Sequence, residues 1–433
     1  MNNYKFENIV IGTGISSLGA IISLVRKKKK ILIIESPKSI ISKKNETIFC
    51  SQNLPIIGIN NWKKLDINKV LSIKGYGGHS NIWGGSCLRL AENEFDIWPI
   101  KYKELCYYYG KCEKFLGIHK LSDQYEKKFD DDDIFYTKAK IAKSFKDKKN
   151  TFNTIEIIDG LIKNKKVSIL KGTVKNIGKI ENKQYLKIID KSEKIFFENL
   201  FIGAGPFNTS KIIESSIKHK KLLATKQSQS FFVPALMFKK IKNLQSNSSY
   251  QIVIKKFFNN KRNLHIELKY SPHHTLKTIK KKLGFISFFI PKFITSRIII
   301  LSGFIPSNDS INFTNNKISK NKKIKLRKMK MKLNKIFKKL NEKFAFKIFK
   351  ELIKFTQFGR SFHVGANIPM SNDNIKSYLT TNQNGKLNNK KFDNVYIIDS
   401  SIFPNIPSGV LGLTSMANAY RIVDKKFYEI SNK

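Results

Sequence analysis

Near the N-terminus, Gly12, Gly14 and Ser17 occupy the three small-residue positions of a G-x-G-x-x-[G/A/S] turn, and Gly19 follows. The first glycine permits a tight turn, the second lets main chain approach a pyrophosphate, and the third small residue lets a helix pack closely on the preceding strand. Glu35 closes the apolar run ILIIE about twenty residues on, where a carboxylate can accept hydrogen bonds from ribose hydroxyls. An acid at that place argues against a 2′-phosphate. The turn therefore predicts a dinucleotide site, and alone leaves NAD and FAD both open.

Two further groups carry chemical potential. GYGGHSNIWGGS packs five glycines into twelve positions and must be an irregular loop. His363 stands in SFHVGAN; a neutral imidazole can accept the proton of a substrate hydroxyl while the carbon gives up its hydride.

The elements that must position these groups follow from local pattern. FENIVIG reads as a strand, TGISSLGAIISLVRKKKK as a helix with a basic last turn, and ILIIE as a second strand, which together make one βαβ unit. Residues 36–74 form a Ser-, Lys- and Asn-rich connector. KYKELCYYYGKCEKFLGI has Tyr and Leu at helical spacing. From 151 to 200 short β-type runs alternate with turns, and ENLFIGAGPFNTSKIIESS adds a strand, a glycine turn and a helix start. Residues 216–355 hold aromatic strands followed by a lysine-dense helical stretch from about Lys320 to Phe355. NVYIIDSSIFPNIPSGVLGLTSMANAYRIVD then returns to strand, turn and helix.

At 433 residues the chain exceeds the size at which one core stops growing, so two associated domains are expected. The fold class is α/β: a Rossmann-like, three-layer domain with a mostly parallel sheet, built from 1–215 and 356–433, covered by a β-sheet-plus-helix substrate domain over 216–355. The net charge of +49 would ordinarily suggest nucleic acid or an anionic membrane. The excess is mainly Lys spread along the whole chain, Arg is scarce, and no recognition motif accompanies it, so no nucleic-acid partner is expected. GFISFFIPKF between basic stretches keeps peripheral membrane association as an alternative, although the lysine-dense helix shows no clean one-sided apolar face in the sequence. Residues 9–25 are too short to span a bilayer. Cys50, Cys87, Cys106 and Cys112 form no CxxC pair and no metal spacing, which favours reduced thiols, a cytoplasmic location and no metal site.

GYGGHSNIWGGSCLRL followed by FDIWPIKYKELCYYYGKCEKFLGI resembles the flavin-contacting loop and next helix of the glucose-methanol-choline oxidoreductases, in the subgroup whose loop reads GG-x-S-x-x-W-G-G. FIGAGPFNTSKIIESS resembles an internal turn of that family, RIIILSGFIPSNDSINFT its substrate-domain strands, and Ser361 to Asp424 its terminal signature. The resemblance implies FAD as cofactor and oxidation of the CH–OH group of an alcohol or sugar by hydride transfer to flavin N5, with the electron acceptor unassigned. It places Gly77, Gly78, Ser80 and Asn81 along the flavin and Trp83 as a wall. Asp399, ending VYIID, would hold ribityl hydroxyls or line the pyrophosphate. A helix starting near Gly412 or Leu413 would aim its positive end at the flavin, and His363 would be the base. Arg360 is a candidate contact for an anionic substrate group, with a surface salt bridge as the equal alternative.

Two departures from the family pattern matter. Val410 stands where most relatives place an Asn or His partner for the catalytic histidine, which leaves a flavin-binding protein with a degenerate site as the alternative function. Ile82 stands where histidyl-linked members have His, so the flavin is expected to be noncovalent.

Overall fold

The computed structural model describes residues 4–37, 75–118, 127–128, 134–138, 140–148, 150–217, 222, 225–238, 249–255, 257–258, 262–269, 291–307, 320–355, 361–373, 375 and 377–431. All of the 36–74 connector beyond residue 37, Cys50, Arg360 and most of GFISFFIPKF lie outside them.

The apolar opening folds as read: β1 (Tyr4–Ile11), α1 (Ile15–Arg26) and β2 (Ile31–Glu35) form the βαβ unit. Helix α2 (Tyr102–Phe115) follows, with Leu105, Tyr109 and Cys112 on its buried face. Strand β3 (Ile134–Lys138) leaves for a second sheet. Helix α3 (Thr154–Lys163) replaces the expected β-type run: although TIEIIDGLIK is rich in β-branched residues, the Asn153 side chain caps it by accepting the Ile155 N–H at 2.8 Å. Strands β4 (Ser168–Lys171), β5 (Val174–Ile180), β6 (Lys183–Ile188) and β7 (Lys194–Ile202) then lead into α4 (Pro206–Glu214).

The first sheet has seven strands in the order β4-β2-β1-β7-β6-β5, with β13 (Val395–Ile397) on the free side of β7's tip. Pairs β1–β2, β1–β7, β2–β4 and β7–β13 are parallel, whereas β5–β6 and β6–β7 are antiparallel. Helix α6 (Gly412–Ser431) packs along α1, so the last segment completes a domain begun by the first. A Cβ on Gly19 would lie 2.2 Å from the Met416 carbonyl oxygen, so only glycine allows this approach. Arg421, wholly buried, fixes α6 further by bonding Asn418 Oδ1, Glu104 Oε1 and the Gln383 carbonyl.

Among the described residues the second sheet has eight strands, and every pairing between them is antiparallel. Its centre is β8 (Gln229–Met237), β9 (Ser249–Ile254), β10 (Leu264–Lys269) and β11 (Ile298–Ile305). Because β3 joins its edge, residues before 216 also contribute to it. Helix α5 covers one face but spans only Lys320–Phe344; the chain returns as strands at Phe346–Ile348 (β12) and Lys354–Phe355. Met329, Leu333, Ile336, Phe337 and Leu340 of α5 are buried against the sheet, so this helix has a one-sided apolar face, contrary to the sequence expectation. Each of these larger side chains contributes about 1.5–3 kcal/mol on full burial, while the lysines of the opposite side stay in solvent. Among the described residues no helix is long and apolar enough to cross a membrane.

Candidate active site

One cleft of about 760 Å³ runs between the two sheets. At one end is the tip of β1. Gly12 has φ +96°, and a Cβ there would sit 2.5 Å from the Gly203 carbonyl oxygen at the tip of β7. Gly14 differs: its backbone is extended, and an added Cβ would meet no atom within 4 Å, so main chain is bare toward the cleft at the start of α1. That helix has no acid in its first turn, leaving the positive end of its dipole available to an anion. Glu35 lines the same end. The Thr13 hydroxyl and the Ser36 N–H, at 2.7 Å, both donate to its carboxylate. Burial pushes the Glu35 carboxyl up, and those hydrogen bonds oppose the rise. Thr173 just before β5, Lys175 on β5 and Lys211 on the neighbouring α4 complete this end.

The glycine-rich loop is tied to the first turn through Thr13. Gly77, left-handed at φ +87°, donates its N–H to Thr13 Oγ1 at 2.8 Å, and Thr154 Oγ1 of α3 donates to the Thr13 carbonyl at 2.7 Å. Ser80 Oγ donates to the Gly77 carbonyl at 2.7 Å. A Cβ on Gly78 would stand 3.5 Å from Gly14 Cα, so two bare stretches of main chain meet at the cleft floor. Trp83 donates its indole N–H to the Phe152 carbonyl at 2.7 Å, and its ring lies 2.7 Å from where a Gly412 Cβ would be. Leu411, Gly412 and Ser415 thus bring the N-terminal end of α6 to the cleft.

The other end is faced by the second sheet. Strand alternation turns Ser230, Phe232, Glu267 and Phe304 to the cleft, and Phe231, Val233, Ile266 and Ile305 to the core beneath α5. His265 is 1 % exposed and shares the face of Glu267. Gln251 links them: its Oε1 accepts from His265 Nε2, and its Nε2 donates to Glu267 Oε1 at 3.1 Å and Ser86 Oγ at 3.2 Å.

His363 lines the cleft with its ring against Phe304, centroids 4.7 Å apart. Its main chain is anchored independently of the ring: Ser361 Oγ accepts the His363 N–H at 3.1 Å, and the His363 carbonyl accepts the Ser228 N–H at 3.0 Å. His79 also lines the cleft, edge-on to Phe362 at 5.9 Å, and burial of its ring lowers its pKa to about 4. Val410 borders this end and packs with Leu88 and Val253, so the position expected to lack a polar arm is apolar in its contacts as well.

The cleft gathers Gly12, Gly14, Glu35, Gly78, Ser80, Trp83, His363 and Asp399 from the residues singled out in the sequence. Four others stand behind its wall. Ser17 is buried and donates to the Gly203 carbonyl at 3.2 Å, which is the close helix–strand packing its position predicts. Gly77 shapes the loop. Asn81 is held by the Tyr76 carbonyl and by Asn153. Leu413 points into the main core, while its neighbour Gly412 faces the cleft. Asp399 both lines the cleft and caps a short turn, accepting from Ser401 N at 2.9 Å and Thr209 Oγ1 at 2.6 Å. Burial raises its carboxyl, against those hydrogen bonds. Thr13, Thr173, His79, Gln251 and Glu267 were not legible as site residues; for Glu267, the His-x-Glu alternation in LHIELK is a signal of a polar strand face that could have found it.

Burial also lowers the His265 pKa to about 4, partly offset by the charge of Glu267. The unfolded chain, with a histidine pKa near 6.5, takes up a proton that the fold refuses between about pH 6.5 and 4. Stability is therefore lost as pH falls through that window, by about 3 kcal/mol at its lower end. A His265→Asn variant should show a shallower fall in denaturant midpoint from pH 7 to 4.5 than the parent; equal slopes would contradict a buried neutral imidazole.

No family model matches the chain, and no curated protein matches it. Among solved structures it is similar to pyridoxine 4-oxidase from Mesorbium loti, with a TM-score of 0.58 over 98 % of this chain and 99 % of that one at 11 % identity. At that identity the likeness is one of fold: this chain shares, from end to end, the mixed α/β architecture of that oxidase.

Proposed function

We propose that this chain is an FAD-dependent oxidoreductase that oxidises a CH–OH group in an alcohol or sugar, with the flavin held noncovalently and His363 as the base. The observation that carries the reading is one continuous cleft: an end suited to ADP, two bare glycine turns, a helix N-terminus and an imidazole follow one another along it. The family resemblance of both chain ends and the fold shared with an oxidase support the same conclusion. The donor set fits the group. Glu35 would accept from ribose hydroxyls, Gly14 and Gly78 leave main chain bare for a pyrophosphate, and Asp399 keeps acceptor capacity beside them. The start of α6 would place positive dipole near the flavin pyrimidine.

Bound flavin supplies the acceptor for a hydride. The chain's part is to bind the donor against the second sheet, exclude water with Trp83, Phe304 and Phe362, and take the hydroxyl proton onto the His363 imidazole. In this reading the second sheet, 216–355 with β3, is the substrate domain. The apolar packing of Val410 favours one rival, a flavin-binding protein without turnover. A pool of alcohols and sugars that bleaches the flavin anaerobically would exclude that rival.

Glu35→Arg should weaken FAD binding roughly 10- to 100-fold, because a cation replaces a charged acceptor and the Thr13 hydroxyl loses its partner. Fluorescence titration of the apo-protein with FAD measures this, and an unchanged affinity would remove Glu35 from the site.

A further inference from the structure

We infer that the substrate end of the cleft selects a molecule with a cationic or N–H-donating group, held by Glu267, on an aromatic or apolar body packed against Phe232, Phe304 and Phe362. This rests on the reading of the cleft as a CH–OH oxidation site and names its substrate class.

Glu267 is 5 % exposed, yet it lines the cleft. Burying a carboxylate is costly unless partners hold it. The Gln251 amide donates to Oε1, and because a carboxylate only accepts, that contact sets which end of the amide faces Glu267 and turns its oxygen toward His265. The result is a carboxylate positioned in advance, which is how a recognition group is built. The charged lining is mixed at the Glu35 end, where Glu35 and Asp399 accompany two lysines, and is a carboxylate at the other. Lys175 and Lys211 lie on β5 and α4 at the Glu35 end, and Glu267 lies on β10 at the His363 end. In a chain of net charge +49, a carboxylate in this position favours cations and penalises anions locally.

The strand register sets the path of the ligand. His265 pairs with Phe304 across β10 and β11, and Glu267 is the next residue on that face, about 7 Å along the strand. Phe304 carries the His363 ring. A substrate reaching from His363 to Glu267 therefore crosses the Phe304 ring, which suits a flat or apolar body between the reacting hydroxyl and the donor group.

The test uses FAD-loaded protein and three matched probes: 4-(aminomethyl)benzyl alcohol, 4-methylbenzyl alcohol and 4-(hydroxymethyl)benzoate. Calorimetry gives each Kd without turnover, and anaerobic flavin bleaching gives each reduction rate. The cationic probe should bind roughly tenfold or more tightly than the neutral one, with the anionic probe weakest. Glu267→Gln should collapse that preference, bringing the Kd values of the cationic and neutral probes to within about twofold of each other. The wild-type comparison stands even if the variant fails to fold. Equal affinities, no measurable binding of the cationic probe, or a preference that survives Glu267→Gln would overturn the inference. So would a variant that slows reduction of the neutral and cationic probes equally, since Glu267 would then act in the chemistry. A retained cation preference with no bleaching by any probe would keep the binding site and remove the oxidation reading instead.

Discussion

Replacing His363 by alanine should leave the FAD-loaded protein intact and slow anaerobic flavin reduction by roughly a hundredfold or more, the scale on which a positioned general base contributes. The separation of binding from chemistry follows from how the residue is held. Its main chain is fixed by Ser361 and Ser228 through the His363 N–H and carbonyl, atoms that the substitution keeps. The ring packs on Phe304 and borders the cleft, so truncation opens space that water can fill rather than a sealed cavity. Stopped-flow absorbance, with flavin occupancy checked before mixing, reads the effect. Wild-type rates in the variant would end the assignment of His363 as base and favour the reading without turnover.

The second large effect distinguishes two glycines of one motif. Gly14→Val should weaken FAD binding by roughly 10- to 100-fold while the apo-protein melts within a few degrees of wild type. Gly14 has extended backbone that any residue adopts, and a Cβ there meets nothing within 4 Å. Losing a glycine at a helix N-cap costs below about 1 kcal/mol. The added methyls occupy only the cleft, where overpacking against a bound group costs about 1–3 kcal/mol. Gly12→Val should do the reverse damage. Its φ of +96° and a Cβ 2.5 Å from the Gly203 carbonyl oxygen strain the fold itself, by about 1–3 kcal/mol for the backbone alone. Thermal melts of both apo-proteins beside FAD titrations decide the matter. Equal loss of stability in the two variants would mean that Gly14 serves packing rather than a ligand.

The contrast between those glycines shows what the sequence discloses. The order strand, glycine turn, helix, strand was legible because Gly12 needs a positive φ at the end of its strand and Gly14 leaves main chain bare at the start of the helix, and VYIID was likewise legible before the last helix. Helix α3 was not, because TIEIIDGLIK has the residues of a strand and its helical state depends on the Asn153 cap and on Thr154 reaching the Thr13 carbonyl. The apolar face of α5 was hidden among lysines, although Met329, Leu333, Ile336, Phe337 and Leu340 keep three- and four-residue spacing.

In the site, the motif located main chain better than side chains. Ser17 and Leu413 lie at motif positions, and both pack inward. Glu267 and Gln251 could not be paired in advance. Their contact depends on the register of β9 and β10, in which Gln251 stands opposite Glu267, and no local pattern encodes that register.

The central claim is that the cleft between Glu35 and His363 holds FAD without a covalent bond. Purified protein, loaded with FAD if isolated as apo-protein, is to be precipitated with acid and the supernatant flavin identified by mass. The account predicts a yellow protein that releases unmodified FAD, because Glu35 and the bare glycine turns suit the ADP half and Ile82, not histidine, stands before Trp83. A colourless protein that takes up no added FAD would contradict the claim outright, and flavin retained in the pellet would contradict noncovalent attachment.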